Sequence, residues 1–388
     1  MVHGLISSDA GILFILAGNA AFWFWLEKKT GWKLFSFIPP LLFIYALPVF
    51  FSNLGLIPTE SSVYDWMGDI LLPMFLVMLM LDVDVKSTVR VMGRGVFVML
   101  IGTLGVVIGA PIGYGVVKGW LGPEAWKGFG ALAGSWIGGN GNMAAMAEAL
   151  GTSGSDFGLA VISDNLVYLI WLPLLLNSKR LAGVFNKFTG VSDERLAFMK
   201  SAAGELIVDK GAPRMRHVLY LLTLAFGVTF ISSSLSTSLP ELPPVLTVTT
   251  YKILLVTTFG LLLSFTRARE IPGSHEIAMA LVYMFVARMG AETSLAGLHQ
   301  AVPFVAGAYI WIFIHGLFII AAARLFKIDI HTAAIASAAN IGGVASAPVV
   351  AAFHDERLVP VSILMALIGY AIGNYAALLA AWLCSLIA

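Results

Sequence analysis

The sequence predicts an all-α integral membrane protein of two inverted repeats, each with five transmembrane helices and one glycine-rich broken or re-entrant hairpin. Three observations lead there: an apolar composition, a one-sided distribution of Lys and Arg, and a Gly-Gly segment in each half. Of 388 residues, 59% are apolar and 12% are charged, and mean hydropathy is +0.90. Soluble domains carry roughly a quarter charged residues. Disorder, a nucleic-acid module and a cytosolic enzyme are thereby excluded, and the lipid bilayer becomes the first partner. A net charge of +1 points to no nucleic acid. Cys384 is the one cysteine, and the seven histidines lack the spacing of a helical metal site, so no transition metal is implied.

Taken in order, the first apolar run, 10–26, lacks a basic leader and ends in Glu27-Lys28-Lys29, which marks a retained span and not a cleaved signal. Further spans of the required length follow at 34–52, 66–83, 95–117 and 156–177. Pro39-Pro40, Pro48, Pro73 and Pro173 mark kinks in them. The polar segment 178–216 reads as a cytoplasmic linker, and the second set of spans covers 217–233, 248–266, 275–296, 301–323 and 358–385. The repeats are thus 1–177 and 217–388. Continuous apolar runs exclude a β-barrel, whose strands alternate. Two stretches, 128–150 and 331–350, are crowded with Gly, Ala, Ser and Asn around a central Gly-Gly and are expected to re-enter without crossing.

With both termini outside and both hairpins returning to their own side, all 23 Lys and Arg except Lys118, Lys127, Lys252 and Arg288 fall on the cytoplasmic side. That is the bias the positive-inside rule demands. Five spans per repeat is odd, so the halves face opposite ways, as in secondary transporters. A shift of 204 residues places Ile137-Gly138-Gly139 on Ile341-Gly342-Gly343.

The hairpins read GSWIGGNGNMAAMAEALGTSGSD from 134 and ASAANIGGVASAPVV from 336. An interrupted helix exposes amide donors on one half and carbonyl acceptors on the other, and so can hold an anionic group and a cation together. On this reasoning Ser135, Asn140, Asn142, Asn340 and Ser346 are candidate solute ligands. Gly138, Gly139, Gly342, Gly343 and Ser337 are candidate cation ligands. Asp164, with Asn165 beside it, lies about 12 Å into its span and is the leading intramembrane carboxylate, read as a sodium ligand or proton carrier. Arg288 lies mid-span with Glu292 at i+4, and two readings stand: an anion clamp with a gating carboxylate, or a self-contained pair. Tyr370 and Asn374 share a face that can close over the second hairpin. Glu148 leaves the first hairpin, Asp69 lies near an outer edge, and Asp82, Asp84 and Lys86 form an interfacial cluster. Asn19 and His315 suit interhelical hydrogen bonds. Phe22-Trp23-Phe24-Trp25 reads as an interfacial belt.

The strings GSWIGGNGN, AANIGGVASAP and GYAIGNY (369–375) together resemble the membrane family known as domain of unknown function 819, over nearly the full chain. Ala338-Ala339 and Asn374 depart from its usual wording. That family is distantly similar to the sodium/glutamate symporters. The resemblance implies a cation-coupled secondary transporter of the elevator type, with Na+ or H+ as coupling ion and no other cofactor. The expected function is symport of a small organic anion, amino acid or peptide-like solute across a bacterial cytoplasmic membrane. A homodimer would suit an elevator scaffold. An intramembrane hydrolase and a passive channel are the alternatives: the string around Ser135 is not a nucleophile elbow, and two buried hairpins make a poor continuous pore.

Overall fold

The computed structural model describes residues 4–32, 34–37, 40–84, 93–191, 211–293 and 295–388. The kink at Pro39, the charge at Lys86 and residues 192–210 of the linker lie outside them. Every regular element among the described residues is helical, apart from one isolated bridge between Leu242 and Leu246. In chain order the main helices are α1 (Asp9–Thr30), α2 (Pro40–Asn53), α3 (Ser62–Leu81), α4 (Gly95–Val117), α5 (Ala125–Ala149), α6 (Gly154–Asn177) and α7 (Ala182–Thr189). The second half contains α8 (Met215–Ser236), α9 (Val248–Ser264), α10 (Ser274–Ala291), α11 (Ala301–Phe326), α12 (Ile330–Ile341), α13 (Gly343–His354) and α14 (Val359–Ser385).

Seven helical segments are long and apolar enough to cross a bilayer: 9–30, 62–81, 95–120, 154–189, 215–236, 301–326 and 359–385. Of the other three expected spans, 34–52 is described over Leu34–Phe37 and Pro40–Asn53, α9 has 17 residues, and α10 carries Glu276 and Arg288 within its 18. Helix starts follow local chemistry: Ser8, Ser61, Ser153, Thr247 and Asp329 each accept a first-turn amide on the side chain. Exposed Phe14, Phe230 and Phe313 lie on spans of this set, where lipid takes the place of water. The linker is not wholly a tether, because α7 packs on α11 and α12 and Asn186 accepts the Ile330 amide at 3.0 Å.

Both glycine-rich segments double back. In a straight helix, residues 127 and 152 would stand about 37 Å apart, yet Thr152 donates to the Lys127 carbonyl at 3.5 Å. Further along, a Cβ on Gly134 would meet the Asn142 carbonyl at 2.6 Å. The reversal falls at Gly139, with φ 72 and ψ −172, a conformation essentially confined to glycine. α12 and α13 pack as the second pair of arms, with the Nδ1 atoms of His331 and His354 2.9 Å apart at their base. Their turn uses Gly343 at φ 58. The two tips meet: a Cβ on Gly343 would lie 3.6 Å from the Gly139 Cα.

The helices sort into two groups. α1, α2, α3, α8, α9 and α10 pack among themselves, while α4, α5, α6, α11, α12, α13 and α14 form the group that holds both hairpins. Partners exchange between the halves: α2 packs on α10 as α9 packs on α3, α1 on α10 as α8 on α3, and α6 on α11 as α14 on α4. The α5–α14 contact is extensive because α14 presents glycines. Side chains at Gly369 and Gly373 would collide with the Ile137 carbonyl and the Asn142 amide respectively.

Candidate functional site

Where the two tips meet there is a cavity of about 320 Å3, lined by residues of both hairpins, α2, α6, α10 and α14. The size is that of a small-solute site. Gly139, Asn140, Gly342, Gly343 and Ser346 bring the tips to its wall, Asp164 and Asn165 come from α6, Tyr370 from α14, and Ser135 from the descending arm of the first hairpin.

Asp164 is held in place from one side only. Ser135 Oγ donates to its Oδ2 at 3.1 Å and Trp136 Nε1 to its Oδ1 at 2.8 Å. No Lys, Arg or His among the described residues pairs with it, and no Lys or Arg lines the cavity. Asn165, which also lines the cavity, donates its side-chain amide to the Val161 carbonyl at 2.8 Å. The helix geometry adds two sets of backbone groups. Downstream of Gly139 and at Gly343, a helix begins with its first-turn amides uncommitted, while the arms ending at Gly138 and Ile341 end in carbonyls. Such a site can take a cation and an anionic group side by side.

Other sequence-selected residues lie outside this cavity. Asn142 is fully buried and donates to the Tyr370 carbonyl at 3.1 Å, so it clamps the first hairpin to α14. Asn340, also fully buried, pairs with Thr103 of α4 at 2.8 Å. Ser337 accepts from Trp171 at 3.0 Å and meets His315 Nε2 at 3.0 Å. His315 Nδ1 in turn lies 2.9 Å from the Gly102 carbonyl. Asn374 is fully buried and donates to Thr257 of α9 at 2.9 Å. Gly138 sits behind the tip against Gly369 and Asn142. Arg288 is bound to both Glu292, at 3.2 Å, and Glu148, at 3.1 Å.

Remaining charges are accounted for locally. Asp69 pairs with Lys252 at 2.7 Å, Asp82 accepts from Ser274 at 2.7 Å and faces His275 at 3.4 Å, and Asp84 meets Arg269 at 3.1 Å. Asn19 donates to the Ile44 carbonyl at 2.8 Å, tying α1 to α2. Three tyrosines deserve comparison. Tyr370 is a candidate from the sequence, but Tyr168 and Tyr283 also line the cavity. Only the folded packing shows which faces of their spans meet the tips.

Two comparisons bear on this arrangement. The family described as "Protein of unknown function (DUF819)" matches residues 14–386. The "Uncharacterized membrane protein YjcL" of Bacillus subtilis (strain 168) is 26% identical over 389 residues, covering 96% of this chain and 97% of that protein.

Proposed function

The chain belongs to the DUF819 family, and from that premise and the cavity geometry we propose that it is a sodium-coupled secondary transporter of a small organic anion, amino acid or peptide-like solute. The observation that carries the reading is Asp164: a carboxylate on the cavity wall, oriented by Ser135 and Trp136, with no Lys or Arg among the described residues lining that cavity. A carboxylate removed from water costs several kcal/mol unless a positive charge joins it. A coupling cation supplies that charge from solution. Hairpin carbonyls and the Asn165 oxygen complete its shell, and the amides opening the downstream arms meet the anionic part of the solute. Ser135 donates straight to the carboxylate, an arrangement that suits a binding site better than a hydrolytic one.

Alternating access gives the two helix groups separate roles. The exchange of partners between the halves supports an inverted repeat, and the division into a hairpin-bearing group and a second group supports an elevator motion. The reading places the protein in a bacterial cytoplasmic membrane with both termini outside, as a homodimer of scaffolds, without enzymatic activity and without a cofactor beyond the coupling ion. The test is reconstitution: proteoliposomes carrying the protein should accumulate radiolabelled amino acids or short peptides only under an inward sodium gradient. Uptake that is indifferent to the gradient would count against it.

A further inference from the structure

We infer that Arg288, Glu148 and Glu292 form an ionic latch that holds the two helix groups together at the C-terminal end of α10, beyond the cavity. The inference rests on the transport reading, because a latch has meaning only if the groups move. Arg288 is 6% exposed, so its guanidinium must keep a partner in any state. Its two partners belong to different bodies. Glu292 stands one turn on at the end of its own helix and stays with it, while Glu148 sits on the exit arm of the first hairpin. Separation of the groups therefore breaks one charge pair and leaves Arg288 neutralised by the other, which makes both states tolerable.

Local backbone is shaped around this contact. α3 contains a π-helical turn at Met67–Leu71, and a side chain at Gly68 would collide with Glu148 Oε1 and stand 2.9 Å from Arg288 Nη1. π-turns are rare and cluster at functional sites. Further bonds join the same groups at this end: the Tyr45 hydroxyl donates to the Gly154 carbonyl at 3.1 Å, and Thr250 donates to the Ala149 carbonyl at 3.0 Å. The cavity lies against the start of α2, at Pro40 and Leu41, and along α10 from His275 to Tyr283. From Tyr283, the last cavity residue of α10, to Arg288 an α-helix rises about 7.5 Å. One end is latched and the other holds the cavity, which is the asymmetry of a single alternating-access state.

The experiment is a distance measurement between spin labels on the full chain in lipid nanodiscs, with and without sodium. The labels go on Trp120→Cys and Leu242→Cys, exposed positions of the two groups. Glu148→Gln should increase the share of a longer distance about ten-fold. Glu292→Gln should keep the parent distribution, because the pair that crosses between the groups survives. If Glu148→Gln matches the parent, or Glu292→Gln opens the pair equally, the latch is overturned. Glu148→Asp, which keeps the charge but shortens the reach, gives the same test if the glutamine variant does not fold. If sodium shifts the parent distribution and Glu148→Gln does not, only the latch falls. A single distance in every variant, with and without sodium, overturns the transport reading as well.

Discussion

At the scale of the residue, chemistry concentrates on a few side chains and two glycines. Gly139 and Gly343 both have positive φ, but they occupy different regions: the ψ of −172 at Gly139 is essentially reserved for glycine, whereas φ 58 at Gly343 is left-handed helical. Gly139→Ala should therefore cost about 1–3 kcal/mol, and Gly343→Ala about 1–2 kcal/mol. Thermal unfolding in detergent checks the order, and a larger loss at Gly343 would contradict it. A second contrast separates site from scaffold. Ser337→Ala strands the buried His315 Nε2 and the half-buried Trp171 and should lower stability by about 1–3 kcal/mol while sodium binding persists. Ser135→Ala removes a donor to Asp164 and should weaken sodium binding with a smaller loss of stability. Equal effects on binding would show that the cavity is not the cation site.

At the scale of the element, the glycine-rich segments were legible because interrupted apolar runs with a central Gly-Gly have few other uses, and each segment does fold back at that pair. Side-chain orientation was less legible. Asn142, Asn340 and Asn374 have the composition of ligands, yet their amides hold helices together, and no periodicity distinguishes the two uses. Arg288 illustrates the same limit: Glu292 at i+4 was readable, while Glu148, 140 residues earlier, required the fold. The glycines of GYAIGNY acquire a physical reason here, since the first hairpin packs into the groove they leave. Gly373→Leu should accordingly separate α14 from α5 and destabilise the protein by several kcal/mol. Retained stability in a thermal melt would argue against that packing.

At the scale of the whole molecule, two helix groups meet around the cavity that holds Asp164, and the positive-inside rule supplies the expected orientation. Gly190, at the end of α7, belongs to the side rich in Lys and Arg. Gly190→Cys should react with an impermeant maleimide only from the cytoplasm, and labelling from outside would invert the topology. The central claim is that the cavity binds a cation through Asp164, and equilibrium binding of radioactive sodium to the purified protein tests it most directly. The account predicts saturable binding by the parent protein, weakened about a hundredfold by Asp164→Asn, because the variant keeps the shape and removes the charge. Equal sodium binding by the two proteins, or none by the parent, would contradict it.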